Sequence, residues 1–510
     1  MVRIILILLL PIVFVYGQRQ DYQQPTFPDS DRAQKVLATR SFVETMFREY
    51  IEKQHIPGLA YGVVLDGKLL YSGGFGFANL EKKFASDASS MFRIASMSKS
   101  VTALAILQLR DAGKLDLDDP ASKYIPEMTK LSYLTADAPV ITIRHLLTHG
   151  AGLPEDNAWG DRQLADTDAE LRKLMADGPA FSNTPGVEYE YSNVGFALLG
   201  QIVQVVSGMP FDQYTSERIF KPLGMNNTVW EYAKAPAQKL ALGYNWVHEA
   251  YENIPLLHHG SYGAMGGLIT TIEDFAKYVS MHLAAWPPRN NAETAPLRRS
   301  SLREMHHPWR FSELNTRFRY PNGRQCTIAG AYAYGLRWTQ DCDGRVMVGH
   351  SGGLPGFGSN WTMMPHYGLA VMSFDNKTYG STSTLNVTIL DSILTATGLQ
   401  PMKLPASAIL KQRTEELIRF LPDWKNAESS GLFAENFFVD SPIEDLRRWT
   451  KIPFDKAGKI TGVKEIVPEN QLRGTFIMEG ETMNVSVFFT LTPEPVPLFQ
   501  TVRMTNVEKQ

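Results

Sequence analysis

The sequence predicts an α+β fold: an antiparallel sheet flanked by helices, a mostly helical region beside it, and a small β-rich region at the C-terminus. Strand-like runs lie near both ends of residues 34–400, and helical patterns fill the interval between them. One sheet is therefore built from distant parts of the chain. Strands and helices do not alternate along the sequence, which excludes a doubly wound parallel sheet.

The first predicted elements are a helix and a hairpin. Apolar residues recur at helical spacing over residues 34–54. Residues 59–65 and 68–72 then read as two strands on either side of Asp66-Gly67, which is a strong hairpin signal.

Capping residues and glycines delimit the later elements. Four further helices are predicted at 143–148, 194–206, 272–283 and 383–397. Each starts after a threonine cap or stops at a glycine. The predicted late strands lie at 332–339, 345–349, 360–364 and 369–374.

Length and composition indicate a folded chain of more than one unit. The 510 residues are 44% hydrophobic and 20% charged, as in globular proteins, and the formal net charge is −3. This balance gives no reason to expect nucleic acid or an anionic membrane as a partner. The predicted divisions are a flexible lead-in at 18–33, a large domain at 34–400, a linker helix at 401–427 and a small β-rich domain at 428–510.

Residues 1–17 have the pattern of a secretory signal peptide. Arg3 precedes an apolar run over residues 4–15, and small residues precede Gln18. The run is shorter than the roughly 20 apolar residues that a membrane-spanning helix needs. We therefore expect a secreted, extracellular protein with no membrane span after cleavage; an uncleaved anchor is the alternative.

The two cysteines and five glycosylation sequons agree with an oxidising destination. Cys326 and Cys342 are expected to form a disulfide, with two inert thiols as the alternative. Asparagines in N-x-[ST] sequons are candidate glycan acceptors, and they are Asn226, Asn360, Asn376, Asn386 and Asn484. Asn360 is the weakest candidate because it lies close to the chemistry described below. Adjacent histidine pairs lack ligand spacing, so no metal or other cofactor is expected.

Ser96 and Lys99 form the only S-x-x-K sequence in the chain, at the start of a helix that ends near Gly113. Side chains three residues apart on a helix have Cβ atoms about 5–6 Å apart, so the amine reaches the hydroxyl. A lysine activates a serine when burial and nearby positive charge lower its pKa toward neutrality. The alternative is an ordinary helix start, with Ser96 as a cap and Lys99 as a solvated charge.

Tyr191-Ser192-Asn193 lies at a loop-to-helix junction and offers partners for this pair. The phenol of Tyr191 is a second acid/base if a neighbouring lysine lowers its pKa from about 10. Asn193 can hold Lys99 or a substrate amide by hydrogen bonds. The same Y-x-N pattern occurs at 251–253 and 320–322, and only the junction context favours the first.

His350-Ser351-Gly352-Gly353 directly follows a predicted strand. The histidine can orient a substrate or a proton relay, and the glycines let the backbone approach a ligand closely. The N–H groups of Gly353 and Ser96 are then expected to form an oxyanion hole. His258-His259-Gly260 matches H-x-G as well.

Residues 349–353 also match G-x-S-x-G, the nucleophile elbow of α/β-hydrolases. That motif must turn from a strand directly into a helix, and the segment that follows contains Pro355 and closely spaced glycines, which cannot begin a regular helix.

S-x-x-K, Y-x-N and H-x-G in this order resemble the serine β-lactamase and penicillin-binding-protein superfamily. The chain is most similar to its class C-like branch of esterases and D-amino-acid peptidases. Flanking stretches carry the same likeness, at residues 92–95, 115–120, 143–149, 222–225 and 266–268. The resemblance covers roughly residues 35–400 and implies a β-lactamase-like fold with the active site between a sheet domain and a helical domain.

The resemblance implies that Ser96 is acylated, that Lys99 and Tyr191 share the proton transfers, and that Asn193 and His350 line the site. The third motif departs from the Lys-Thr-Gly of true β-lactamases, and the lost lysine would have gripped a substrate carboxylate.

We therefore expect a serine hydrolase acting on small-molecule esters or amides or on peptides. The alternatives are a catalytically inactive binding protein of the same fold, or β-lactamase or DD-peptidase activity. The sequence makes no prediction of oligomeric state.

Overall fold

A computed structural model describes residues 22–320 and 323–509, which form two units. The first unit runs from residue 29 to 401, and the second combines residues 22–28 with 402–509. The predicted signal peptide at 1–17 and the first residues of the lead-in lie outside the described residues.

The strands of the first unit are β1 (Gly58–Leu65), β2 (Lys68–Asn79), β3 (Phe84–Ala85), β4 (Phe92–Arg93), β5 (Gly243–Val247), β6 (Ala250–Ile254), β7 (Ile269–Thr270), β8 (Arg310–Asn315), β9 (Ile328–Tyr332), β10 (Arg337–Asp341), β11 (Val346–Leu354), β12 (Phe357–Met364) and β13 (Leu369–Asp375). Nine of them form one antiparallel sheet in the order β3-β2-β1-β13-β12-β11-β10-β9-β8. Strand β1 of the first hairpin pairs with β13, the last strand of the unit, which confirms the prediction that one sheet is built from distant parts of the chain. This pairing brings the beginning and the end of the unit into one sheet.

The helices of this unit are α1 (Arg32–Leu37), α2 (Arg40–Gln54), α3 (Ser98–Asp111), α4 (Ile143–Leu147), α5 (Asn157–Gly160), α6 (Asp168–Asp177), α7 (Asn193–Ser207), α8 (Phe211–Thr215), α9 (Lys221–Leu223), α10 (Gly263–Gly266), α11 (Ile272–Leu283), α12 (Arg299–Met305) and α13 (Ser383–Thr397). Most of them lie between β3 and β8, which confirms the predicted helical region.

The sheet has a separate apolar core on each face. Along β1, Ala60 and Val64 belong to the core that includes α3, α7 and α11, whereas Leu59 and Val63 belong to the core formed with α2 and α13. This alternation follows from the two-residue repeat of a strand. The helical region, and with it the predicted site, therefore lies on one face only.

Several local predictions are wrong at their boundaries. The single strand predicted at 332–339 is two strands, because Ala333–Leu336 form the turn between β9 and β10, with the N–H of Ala333 donating to the carbonyl of Leu336. The lead-in is not flexible throughout: α1 begins at Arg32, a buried residue whose guanidinium pairs with Asp66 at 3.0 Å.

The second unit contains α14 (Ala408–Phe420), α15 (Phe437–Asp440), α16 (Ile443–Ala457), β14 (Ile460–Val463), β15 (Val467–Asn470), β16 (Arg473–Gly480), β17 (Asn484–Leu491) and β18 (Phe499–Val507). Its five strands form one sheet. Leu410 and Leu417 of α14 are fully buried in the same core as Phe476 and Phe489. The helix that we predict as a linker is thus part of this unit.

The disulfide prediction is confirmed, and most of the glycosylation predictions are not. Cys326 and Cys342 are bonded, with their Cα atoms 5.4 Å apart, just outside the β9–β10 hairpin. The side chains of four sequon asparagines are buried, which leaves no room for a glycan on Asn360, Asn376, Asn386 or Asn484. Asn376, for example, donates to the carbonyls of Phe77, Ala78 and Leu242. Asn226 is exposed and stays a candidate.

Among the described residues, no single helix has the length and apolar character needed to cross a membrane. The helical segments Asn193–Ser207 and Phe211–Leu223 reach that length and apolar character only when they are taken together, and the chain bends by 78° between them.

Candidate active site

Ser96 lies in a tight 3₁₀ turn, Ala95–Met97, that leads directly into α3. Ala95 has φ +49°, a left-handed conformation that a residue with a Cβ adopts only when its surroundings enforce it. Ser98 supplies that constraint, because its hydroxyl donates to the carbonyl of Ala95 at 2.7 Å and accepts the N–H of Leu268 at 3.1 Å. The turn therefore presents Ser96 in one fixed position.

Lys99 is completely buried one turn later, and its amine makes three short contacts. The Nζ atom lies 3.0 Å from Ser96 Oγ, 2.6 Å from Asn193 Oδ1 and 3.0 Å from the carbonyl oxygen of Met265. The reading of Lys99 as a solvated charge is thus wrong, and the amine reaches the hydroxyl as the spacing predicts.

Burial lowers the pKa of Lys99 to about 7, while the negative charges of Asp161 and Asp156 oppose this shift and the positive charge of Arg337 adds to it. The predicted shift of this pKa toward neutrality is confirmed in direction. A lysine with such a pKa is partly neutral at physiological pH and can accept a proton.

The aromatic ring of Tyr191 lies close to the Lys99 amine. The Nζ atom of Lys99 lies 4.9 Å from the ring centroid. Burial raises the pKa of Tyr191, and the hydrogen bond to Ser96 and the charge of Arg337 offset that effect only in part. The predicted lowering of this pKa is therefore wrong, because desolvation of a buried phenolate outweighs the nearby positive charge. The phenol stays protonated and is a proton donor in the resting site.

Asn193 is held in place by a residue that the sequence analysis missed. It is the first residue of α7, and its backbone N–H donates to Asp156 Oδ1 at 2.6 Å. The other oxygen of Asp156 accepts the N–H of Val194 at 2.9 Å. The carboxylate therefore caps α7 and fixes the amide that contacts Lys99.

His350 is buried on β11 and carries no positive charge. Burial and the charges of Arg337 and Lys99 lower the pKa of His350 well below its usual value. Its Nδ1–H donates to the carbonyl of Ser351 at 2.5 Å, and its Nε2 accepts the hydroxyl hydrogen of Tyr332 at 2.9 Å. Both ring nitrogens are occupied, so His350 orients neighbouring groups in the resting site.

Gly352 lets β11 pass directly against the turn that carries Ser96. A Cβ atom at this position would lie 2.2 Å from the carbonyl oxygen of Ile94 and 2.4 Å from Ser359 Oγ. A Cβ at Gly353 would lie 3.0 Å from the Tyr379 ring. Only glycine at 352 permits this approach; the oxyanion role of the Gly353 N–H stays a prediction.

The competing motifs lie elsewhere or lack the required geometry. Ser351 is inside β11, which continues through a turn into β12 and not into a helix, so it does not form a nucleophile elbow. Tyr251 is exposed on β6, and His258 is an exposed loop residue that contacts Tyr232 and Glu231. The Y-x-N pattern at 320–322 includes residues outside the described part of the chain.

Several site residues could be found only from the fold. His149 accepts the N–H of Ser192 at 3.1 Å, and its ring lies 4.2 Å from the Tyr191 ring at a tilt of 38°. These contacts fix the loop before α7. His149 ends the stretch 143–149, which contributes to the family resemblance but does not by itself indicate a role for this histidine. The Met265 carbonyl, Asp161 and Arg337 carry no motif that the sequence analysis recognised.

The negative charge of Asp161 opposes the lowering of the Lys99 pKa by burial and provides a pH test. Burial raises the pKa of Asp161 against the positive charge of Lys99 and the hydrogen bond that Tyr379 donates at 3.1 Å. Because Lys99 accepts a proton only when neutral, kcat/KM is expected to rise with pH and level off above the pKa of Lys99, about 7. Asp161→Asn removes a negative charge that favours the ammonium, so the midpoint is expected to move to lower pH.

The pH profile of a neutral ester substrate checks this shift. Asp166→Asn is the matched control, because Asp166 is in the same loop and does not contribute to the pKa of Lys99. A midpoint that rises in Asp161→Asn, or that moves equally in both variants, contradicts the assignment of Asp161.

Two curated proteins are similar to this chain in sequence. The chain is 29% identical over 349 residues to "Protein flp" of Staphylococcus aureus (strain MW2), covering 66% of this chain and 63% of the relative. It is 28% identical over 358 residues to "Unguisins hydrolase ungD'" of Aspergillus campestris (strain IBT 28561), covering 67% and 62%. The chain therefore spans less than two thirds of the length of these relatives.

Two solved structures resemble this fold. The octameric penicillin-binding protein homologue from Pyrococcus abyssi matches with a TM-score of 0.55 and 21% identity, covering 91% of this chain and 99% of that chain. The penicillin-binding protein from Bacillus halodurans matches with a TM-score of 0.53 and 24% identity, covering 69% and 98%. At these identities the likeness shows the fold alone. The family model described as Beta-lactamase matches residues 43–392, more than half of the sequence, and the chain belongs to the beta-lactamase family.

Proposed function

We propose that this protein hydrolyses esters or amides through an acyl-enzyme formed on Ser96. The family consists of serine hydrolases, and one relative is named a hydrolase. The observation that carries the proposal is the environment of the Lys99 amine: Ser96 Oγ lies 3.0 Å away, and the other two neighbours accept hydrogen bonds only.

This environment supports Lys99 as the general base. A neutral amine has two hydrogens and one lone pair. The carbonyl of Met265 and the Oδ1 of Asn193 are acceptors, and Asn193 Nδ2 donates separately to Asn157 at 3.2 Å. Both hydrogens of the amine are thus used on these two oxygens. The lone pair remains for the hydroxyl hydrogen of Ser96.

Ser96 then attacks the substrate, and each proton that is transferred has a defined donor and acceptor. Ser96 Oγ forms a bond to the substrate carbonyl carbon as its proton moves to Lys99 Nζ. The bond between the carbonyl carbon and the leaving group then breaks as the phenol of Tyr191, protonated in the resting site, donates its proton to that group. The Lys99 ammonium returns the serine proton to the phenolate. Water then attacks the acyl-enzyme, with the same groups acting in reverse.

The neutral state of His350 supports esters and amides over β-lactams. Where true β-lactamases carry a lysine, this chain has His350, which burial and nearby positive charges keep neutral. A panel of neutral p-nitrophenyl esters, D-aminoacyl p-nitroanilides and a chromogenic cephalosporin tests this choice, with Ser96→Ala as the blank.

The panel has three outcomes. Ester or amide turnover by the wild type, at least about tenfold above the cephalosporin in kcat/KM, is the expected result. Faster cephalosporin hydrolysis would favour β-lactamase activity, and turnover equal to Ser96→Ala throughout would favour an inactive binding protein.

We also propose that the protein is secreted. The composition of residues 1–17 supports export, and the disulfide between Cys326 and Cys342 is the kind of bond that persists in oxidising compartments.

A further inference from the structure

A cavity of about 500 Å³ lies at the end of α3 that is remote from the active site. Its walls come from the last turn of α3, the end of α7, the segment from α8 onward and the loop before α12. Because α3 has 14 residues, this end is roughly 20 Å from the end that carries Lys99. The lining of this distal cleft includes Gln108, Lys114, Tyr214, Arg218 and Arg298.

Gln108 ties two walls of the distal cleft to α3. Its Nε2 donates to the carbonyl of Arg218 at 3.1 Å and to the carbonyl of Pro296 at 2.9 Å. The Arg218 carbonyl is available because Pro222, four residues later, has no N–H to donate to it. Residues 216–220 form a π-helical turn, a rare form that occurs frequently at functional sites. The backbone that carries Arg218 is therefore held in place beside α3.

Three cations of the distal cleft have no carboxylate partner. Lys114, Arg218 and Arg298 are exposed, and none of them forms an ion pair within residues 22–320 and 323–509. The C-terminal ends of α3 and α7 also border the cleft, and each supplies only about half a negative charge. The two helix ends together therefore balance about one of the three cations.

The carboxylates in the lining do not neutralise the other two. Asp111 lies 2.8 Å from Arg110 and accepts the hydroxyl hydrogen of Ser301 at 2.6 Å. Glu293 lies 3.5 Å from Arg299. Both negative charges are thus paired with other arginines. The distal cleft is therefore complementary to an anion that carries more than one charge.

The distribution of the cations favours a phosphate group. They come from three separate segments of the chain, which suits a tetrahedral group with several charged oxygens, whereas one arginine fork satisfies a planar carboxylate. Burial raises the pKa of Tyr214, and the nearby charge of Arg218 offsets this only in part, so the phenol stays a hydrogen-bond donor beside the guanidinium. Apolar side chains such as Leu109 and Met209 line the rest of the cleft.

We propose that the distal cleft binds a small phosphate monoester, with the phosphate dianion held by Lys114, Arg218 and Arg298 and the organic part against the apolar lining. A cavity of about 500 Å³ has the size of a small-molecule site. Nucleotides and sugar phosphates share this chemistry. The site is separate from the catalytic residues, and binding there does not depend on the proposed hydrolase function.

Isothermal titration calorimetry on the purified protein tests the proposal with matched ligands. AMP is compared with adenosine, and glucose 6-phosphate with glucose, so that each pair differs only in the phosphate. Wild type is expected to bind at least one ester with a Kd below about 1 mM and at least about tenfold more tightly than its unphosphorylated partner. The pair that meets this condition distinguishes a nucleotide from a sugar phosphate. Inorganic phosphate that binds as tightly as both esters overturns a site for an ester.

Variants of the lining place the ligand. Arg218→Gln and Arg298→Gln are each expected to weaken ester binding by about tenfold or more. Ala112→Asp, at the exposed end of α3, removes no cation but adds a negative charge, so it is expected to weaken binding as well. Arg419→Gln, at an exposed arginine of α14 without an ion pair, is the control and should bind as wild type does.

All four positions are exposed, so each variant is expected to keep the wild-type melting temperature, which is measured alongside. An ester affinity that is the same in wild type, Arg218→Gln and Arg298→Gln overturns the proposal. The absence of ester binding to wild type at concentrations up to about 10 mM does so as well.

Discussion

Replacing Ser96 by alanine is expected to lower kcat/KM for the best ester substrate by a factor on the order of 10⁵–10⁶, leaving only the rate that substrate binding alone provides. In the proposed mechanism the hydroxyl forms the covalent bond with the substrate, and the Lys99 amine that accepts its proton lies 3.0 Å away. Initial rates with a p-nitrophenyl ester, measured beside the uncatalysed rate, give the factor.

Ser351→Ala is the matched control, because Ser351 is the serine of the competing G-x-S-x-G pattern and lies within β11. We expect its activity to stay within about twofold of wild type, and we expect both variants to keep the wild-type circular dichroism. A Ser96→Ala protein with a tenth of the wild-type rate, or a Ser351→Ala protein without activity, would contradict the assignment of the nucleophile.

Replacing Lys99 by methionine is expected to lower kcat/KM by about 10³–10⁴-fold and to abolish the rise in rate with pH near neutrality. Methionine fills a similar buried volume but accepts no proton, so the proposed base of Ser96 is removed. The pH profile distinguishes this cause from a general loss of structure, because only the ionisation that belongs to Lys99 disappears.

The same substitution leaves Asn193 Oδ1 and the Met265 carbonyl without the donor that they now share. Each unpaired buried acceptor costs about 1–3 kcal/mol, so the melting temperature must be measured and activity assayed well below it. Lys130→Met, at an exposed position, is the control for the loss of a lysine. Activity of Lys99→Met within tenfold of wild type at any pH would exclude Lys99 as the base.

The parts of the fold that the sequence predicts are those specified by local signals. Asp66-Gly67 forms the first hairpin turn, and Thr142 caps α4 through its hydroxyl. The helix at Ser383–Thr397 has the predicted boundaries because Gly398 terminates it in the left-handed conformation.

Predictions failed where tertiary contacts or unusual turns override local patterns. The C-terminal domain at 428–510 is predicted to be β-rich, yet α15 starts at Phe437 within it, where Phe433 and Phe437 pack against each other at 4.7 Å and against Trp424. Helix α16 was missed because Pro453 lies inside it.

The candidate site likewise contains one contact that the sequence predicts and others that it does not. Ser96 and Lys99 are one helical turn apart, so their contact follows from spacing alone. Met265 of α10 contacts the same amine, and Asp156 and Asp161 act on it through their negative charge. These residues are 57 to 166 positions from Lys99 in the sequence, and no periodicity encodes that convergence. The direction in which the Tyr191 pKa shifts depends on burial, and only the assembled fold determines burial.

The central claim is that Ser96 is the residue that becomes acylated, and mass spectrometry of the trapped protein tests it most directly. The purified protein is treated with a fluorophosphonate probe, digested and mapped, beside Ser96→Ala and Ser351→Ala. We predict one adduct, on the peptide that contains Ser96, present in wild type and in Ser351→Ala and absent from Ser96→Ala. An adduct on Ser351, or labelling that persists in Ser96→Ala, would contradict it.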